Sequence, residues 1–333
     1  MADYLAKRGA NVAPSYATTG DLPTSTQSGD LVFVGGQLAI AVDASTFETC
    51  NKTDIDFPIV WSNLSHQAKI KPSDLVMFDL FGRNVAIDGN TLAIGSQDEG
   101  NSGRGEIHVY TRSGTTWSQE AVLVASDTSK YMSKVIIQGD TIVAGAYGNS
   151  VGTNTREGAA YVFTRSGTTW SQQAKLVASD PEAQDMFGYS IPAIDGDTVA
   201  VAAPFENGST TSNSKGAVYV YTRSGTSWSQ QAKITASDAE AGAKFGSAEG
   251  RIGLSADTLV VGAEGNDEGG TDRGAVYVFT RSGTTWSQQV KKKADTTIGG
   301  SYFSQFVALS GNTVVTSGYY EDNYRGAVYV YTA

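Results

Sequence analysis

The chain has 333 residues and a formal charge of −10, which repels polyphosphate and so argues against a nucleic-acid partner and against polybasic docking on anionic lipid. No apolar run approaches the roughly 20 residues of a membrane-spanning helix, so membrane insertion is not expected. The 38 Gly, 16 Tyr and 12 Phe, set among many Thr, Ser and Val, belong to a turn-rich all-β protein, and Cys50 as the only cysteine excludes an intramolecular disulfide and a zinc-thiolate site.

At the N-terminus, MADYLAKRGANVAPSYATTG lacks the hydrophobic core of a secretion signal, so Sec export is not expected. LVFVGGQLAIA from Leu31 reads as a small hairpin around Gly35-Gly36. Residues 1–60 differ in texture from the rest of the chain and are assigned to an attachment module, with residues 61–333 as one repeat domain.

From Leu64 onward the chain repeats itself. LSHQAKIKPSD begins at Leu64; GEIHVYTRSGTTWSQEAVLVASD starts at Gly105, with further copies from Gly158, Gly216 and Gly274 and a shorter one, GAVYVYTA, from Gly326. The blade glycines are 53, 58, 58 and 52 residues apart, which suits a four-stranded propeller blade and is too long for a leucine-rich or ankyrin unit. Taking Phe187 to Ser237 as the reference, FGYSIPAID and TVAVAAP form a first hairpin, while GAVYVYT and WSQQAKITAS form a second around RSGTS. The first hairpin's turn recurs at Asp88-Gly89, Gln138-Gly139, Asp195-Gly196, Ser255-Ala256 and Ser310-Gly311. Five such hairpins and five third strands predict five blades. LSHQAKIKPSD is then an unattached fourth strand, and its pairing with the last blade would close the ring. The predicted fold is an all-β, five-bladed β-propeller of four-stranded antiparallel blades closed by an N-terminal outer strand, preceded by a short β-hairpin or extended anchor module. Assembly into a larger ring across chains is the alternative.

Alternating strand direction places the tight turns on one face of the disc and the long connections on the other, and function is expected on the long-loop face. The binding candidates there are Asp98, Glu99, Asn101, Arg104, Arg156, Asn207, Lys215, Asp267, Arg273, Glu321, Asp322 and Arg325. Arg104, Lys215, Arg273 and Arg325 each precede a blade glycine, where a local ion pair competes with a ligand contact as the explanation. His66 and His108, the only histidines, stand where other blades have Gln and Tyr, so they read as structural variants and form no triad or metal cluster. No carboxylate pair stands out for acid-base catalysis. The AVYVY strands are read as packing between blades rather than as a stacking surface. No cofactor, metal site or enzymatic activity is expected.

Phe81-Gly82, Phe187-Gly188 and Phe245-Gly246, followed by IGS, AAP or VGAE and then GAVYVY, resemble the FG-GAP repeats of integrin-type propellers over residues 64 to 333; Tyr131-Met132 and Phe303-Ser304 stand where the other two pairs belong. The resemblance would imply calcium loops between first and second strands, but a two-residue turn cannot supply the six to eight oxygens calcium takes, so calcium is not carried over. The hairpin YTRSGTTW is similar to a sialidase Asp-box turn with Arg in the Asp place. The N-terminal run SYATTGDLPTSTQSGDLVFVGGQLAIAVD is similar to N-terminal segments of marine phage virion proteins, and the TRSGTTWSQQAKLVASD unit to phage and bacterial FG-GAP variants. These resemblances imply a non-enzymatic virion structural protein, in the tail, a fibre or a capsid appendage. It would be anchored to other virion proteins through its N-terminal module, oligomeric on the particle, and turned toward a host-surface glycan or protein. A glycan-processing propeller enzyme and a bacterial surface adhesin are the alternatives.

Overall fold

The structure is a computed structural model that describes residues 66–333, apart from positions 74, 76, 98–102, 128–130, 151–155, 208–212, 247–249, 269–271, 295–301, 319 and 322–324, together with the backbone of four N-terminal strands. Two compact units are present, Met1–Gln67 and Ala68–Ala333. In the first, β2 (Leu31–Val34) and β3 (Gln37–Ala41) pair antiparallel across Gly35-Gly36 as the hairpin the sequence suggested. Two short strands flank it: β1 (Val12–Tyr16) lies parallel to β2 and β4 (Phe47–Thr49) antiparallel to β3. Pro14 within β1 fits an edge, where a missing N–H costs no ladder bond.

The second unit is a five-bladed β-propeller. Blade 1 runs through β5 (Asn84–Asp88), β6 (Thr91–Ser96), β7 (Glu106–Ser113) and β8 (Thr116–Leu123). Blade 2 comprises β9 (Met132–Gln138), β10 (Thr141–Ala146), β11 (Ala159–Ser166) and β12 (Thr169–Leu176), and blade 3 β13 (Ala193–Asp195), β14 (Thr198–Ala203), β15 (Ala217–Ser224) and β16 (Ser227–Ile234). Blade 4 comprises β17 (Gly253–Ser255), β18 (Thr258–Ala263), β19 (Ala275–Ser282) and β20 (Thr285–Lys293), and blade 5 β21 (Phe303–Ser310), β22 (Thr313–Gly318) and β23 (Ala327–Thr332). Every blade is an antiparallel meander in chain order.

The cores lie between blades. In β15, Tyr219 and Tyr221 face blade 2 and pack with Val162 and Phe187, while Val218 and Val220 face blade 4 and pack with Phe245, Ile252 and Leu259. Covering both faces explains why AVYVY of β15 is buried throughout, and it supports the packing role expected for that run. Four such cores join blades 1 to 2, 2 to 3, 3 to 4 and 4 to 5.

Three details differ from the sequence reading. The tight-turn residues fall one position later, at Gly89-Asn90, Gly139-Asp140, Gly196-Asp197, Ala256-Asp257 and Gly311-Asn312. The left-handed φ belongs to the first of each pair, 48° at Ala256 and 54° to 56° at the glycines, which is why glycine prevails there. In blade 2, Met132 rather than Tyr131 takes the phenylalanine place, since its N–H meets the Arg104 carbonyl just as the N–H of Phe187 meets that of Glu157. Blade 5 has three described strands, and residues 66–73, expected as its fourth, lie in no strand. Leu64 stands where the other copies have tryptophan and brings no indole N–H, the group that seats those fourth strands.

That seating uses an irregularity the sequence did not reveal. Each third-to-fourth strand pairing skips one residue, Glu120, Gln173, Gln231 or Gln289. The bulge turns this side chain out of the ladder toward the next blade, where Glu120, Gln173 and Gln231 accept the indole N–H of Trp170, Trp228 and Trp286 at 2.8 to 2.9 Å.

Candidate functional site

On the tight-turn face, the arginines of TRSG have a structural explanation. Arg112, Arg165, Arg223 and Arg281 donate to Asn90, Asp140, Asp197 and Asp257 of their own blade's turn. They also stack on Trp117, Trp170, Trp228 and Trp286 at 5.1 to 5.4 Å. Arg165, Arg223 and Arg281 reach one blade back to Thr91, Thr141 and Thr198. This face holds blades together.

The long-loop face is built on a pinned turn after the second strands of blades 2, 3 and 4. Asn149, Glu206 and Asn266 donate their backbone N–H to Ala146, Ala203 and Ala263, and their carbonyls accept from blade glycines Gly158, Gly216 and Gly274. Those glycines have φ near +80° and pass so close to the next blade that a Cβ on Gly216 would lie 2.2 Å from the Phe245 carbonyl oxygen. Under each turn lies a clasp between blades. The Tyr161, Tyr219 and Tyr277 hydroxyls donate to Asp127, Asp180 and Asp238 of the preceding blade, and Lys175, Lys233 and Lys291 donate to the same carboxylates. Burial alone would raise Asp180 and Asp238, but the lysine and tyrosine hydrogen bonds outweigh it and hold both carboxyls below their usual range. Burial likewise opposes the charge on Lys291, yet its bonds to Asp238 and Glu268 push its pKa up. Glu268, hydrogen-bonded by Lys291 and Lys293, falls to about 2.

This scaffold uses several of the residues singled out as binding candidates. Glu321 accepts the Tyr329 hydroxyl at 2.5 and 2.6 Å, and Asn207 donates to Glu206. Asp267 caps its loop by accepting the Asp272 N–H, and its own N–H meets Glu240. Arg104 donates to the Asp127 carbonyl, and the Arg104, Lys215 and Arg273 carbonyls accept the N–H of Met132, Phe245 and Phe303. The backbone at these three positions therefore joins one blade to the next. The Lys215, Arg156 and Arg325 side chains project outward, Arg156 from a left-handed backbone at φ 59°. Asp98, Glu99, Asn101 and Asp322 lie outside the described residues.

Sequence reasoning missed a row of aromatic rings at the base of this face. Tyr131 stacks on Tyr147 at 5.3 Å, Tyr147 meets Tyr189 edge-on at 4.7 Å, and Tyr189 meets Phe205 at 5.5 Å. The three tyrosines are half-buried, Lys134 sits 5.6 Å over Tyr189, and Gln97 donates to the Tyr147 hydroxyl. These rings come from the loops of blades 2 and 3, Tyr131 and Tyr189 before the first strand and Tyr147 and Phe205 after the second, each pair 58 residues apart; blades 1 and 4 have Gln97 and Glu264 in the place of Tyr147, so the pattern does not run through the array. Half-exposed rings beside a cation can stack on the flat face of a sugar or on an aromatic or proline side chain.

Next to this row, Asp185 is buried between left-handed Gln184 and Met186. Burial raises its pKa to about 7, helped by the Glu206 and Glu182 charges and only partly offset by the Glu182 N–H it accepts. The folded value lies above the unfolded one, so the folded state holds the extra proton and stability falls as pH rises from the ordinary carboxylate range to about 7. Asp185→Asn should remove that slope. Its stability advantage over wild type in urea titrations should grow by on the order of 2–4 kcal/mol between about pH 4 and pH 8, and an advantage independent of pH would refute the assignment.

Among the described residues, no group of three or more His, Cys, Asp or Glu side chains is arranged to hold a metal ion. His108 is buried with its ring edge against Phe81, in the place of the clasp tyrosine. What the fold and its long-loop face define is a β-propeller whose recurring polar groups serve blade-to-blade cohesion. The family model for the FG-GAP repeat matches five times, at residues 64–110, 117–163, 170–221, 228–279 and 286–331. The chain belongs to the FG-GAP repeat family. No curated protein matches it.

Proposed function

We propose that this chain is a non-enzymatic structural protein of a phage virion. Residues 1–60 attach it to the particle, and the propeller turns its long-loop face toward a host-surface glycan or protein or a neighbouring virion protein. The observation that carries the reading is the pairing of a nearly invariant repeat scaffold with the aromatic row Tyr131, Tyr147, Tyr189 and Phe205 at the base of loops that differ from blade to blade. The likeness of the N-terminal segment to virion proteins favours a particle as the point of attachment. Glu321 on Tyr329 and Glu206 on Lys233 serve the scaffold of the loop bases, which supports a binding role for this face. Weak single contacts gain strength when many copies are displayed together.

The test has two arms. Mass spectrometry and cryo-electron microscopy of purified particles should find the chain with its long loops outward; its absence from particles overturns the reading. With purified protein, Tyr147→Ala combined with Tyr189→Ala should weaken binding to host cells about tenfold or more, and unchanged binding would remove the aromatic row from the argument.

A further inference from the structure

Each blade has a leading face, turned to the blade before it, and a trailing face, turned to the blade after. At the four junctions within the chain, the trailing-face pair of the third strand is covered by the next blade, as Val218 and Val220 are by Ile252 and Leu259. Among the described residues, the two end faces lack this cover. On the trailing face of blade 5, Val328 and Val330 are 69% and 63% exposed; on the leading face of blade 1, Val85 and Ile87 are 55% and 60% exposed. The counterparts of Val85 in other blades, Val135, Ile252 and Val307, are all buried. The open surfaces are thus the two unlike halves of a junction that the chain already makes four times.

Polar groups match in the same sense. Arg112 holds Asn90 and Trp117 as its counterparts do, but it lies exposed without the preceding-blade threonine that Arg165, Arg223 and Arg281 engage. On blade 5, Thr313 stands at the position of those threonines. On the other side of β23 from Val328 and Val330, its outer edge borders a groove of about 530 Å³ between blades 4 and 5, lined by Val276, Val278, Gln289, Val314 and Tyr331. Its lining corresponds to that of the pocket where Trp228 packs between blades 2 and 3, and Gln289 is the fourth bulge residue of the series. Residues 68–73, AKIKPS, lead into blade 1 and match the fourth-strand runs AKLVAS and AKITAS.

We propose that blade 5 of one chain receives blade 1 of a second copy, head to tail, with residues 68–73 of the second copy laid along β23 as the missing strand. Val328 and Val330 then cover Val85 and Ile87, and Arg112 reaches Thr313. The contact joins two different surfaces, so copies add into a ring or a string rather than stopping at a two-fold pair.

Light scattering of the full chain from roughly 1 to 100 µM should show mass rising with concentration. A trailing-face variant, Val328→Glu with Val330→Glu, and a leading-face variant, Val85→Glu with Ile87→Glu, should each stay monomeric, their dissociation constants raised about a hundredfold or more. An equimolar mixture of the two should form a dimer and nothing larger, because each keeps the half that the other lacks. Wild type monomeric at every concentration, a single variant that still self-associates, or a mixture that stays monomeric would each overturn the proposal. Far-ultraviolet circular dichroism confirms that the variants fold; if one does not, Val330→Thr and Ile87→Thr serve in its place, with a smaller loss expected.

Discussion

Gly216→Ala is expected to unfold the propeller or destabilise it by more than about 4 kcal/mol, the range reached only when a substitution has no room to relax. A Cβ there would lie 2.2 Å from the Phe245 carbonyl oxygen and 2.5 Å from its nitrogen, and φ at this position is +84°. Both obstacles are backbone, so no rotamer change relieves them. Gly225→Ala is the matched control: its φ is +62° but nothing lies within 4 Å of the added methyl, so only the conformational cost of about 1 kcal/mol remains. Thermal and urea unfolding of the two variants should separate them clearly. Equal losses would mean that Gly216 is present for its dihedral freedom alone and that the close approach of blades 3 and 4 is not rigid.

Phe245→Ala should cost about 3–5 kcal/mol, the usual penalty for emptying a fully enclosed aromatic site. The ring is completely buried in the core between blades 3 and 4, edge-on to Tyr277 at 5.4 Å and Phe279 at 5.8 Å. Its loss opens a cavity beside the clasp of Tyr277, Asp238 and Lys291, so the acid limb of the stability profile should move as well. Asp238 is held below its ordinary pKa, and that contribution is present above the unfolded value and lost as pH falls through the folded one. A loosened clasp should make the acid limb shallower. Phe306→Ala, at a ring 47% exposed, should cost less than about 1 kcal/mol. A similar loss at both positions would place the stability of this unit elsewhere than in its interblade cores.

Blade count, strand order and the burial of the third strands within the array are legible in the chain because a repeat writes the same local instruction several times. Alternation assigns faces, and a left-handed turn residue marks each hairpin. Sequence alone sets the tight-turn residues one position early because Asp-Gly is the commoner hairpin signal, while here glycine opens the loop and the next Asp or Asn receives an arginine. The role of TRSG itself is not legible, since its arginine serves a turn about 25 residues back and a threonine more than 70 residues back.

The candidate site is legible only as a face. Topology alone separates long connections from short ones, but of the residues chosen on that face Glu321, Asn207 and Asp267 hold the loops together. The row from Tyr131 to Phe205 is not legible as a site: Tyr131 and Tyr189, like Tyr147 and Phe205, stand 58 residues apart, as Gly158 and Gly216 do, but the rings recur in only two blades and the spacing does not say that the loops meet.

What the sequence by itself determined is the identity of the repeating unit, its number and its antiparallel order, all of which arise from periodicities within a few tens of residues. What only the tertiary structure decided is which residues meet across blades: bulge residues Glu120, Gln173 and Gln231 with the tryptophans, the tyrosine, aspartate and lysine clasps, and the two end faces left uncovered among the described residues. Those contacts depend on how one twisted sheet is set against the next, and no spacing along a single chain records that angle.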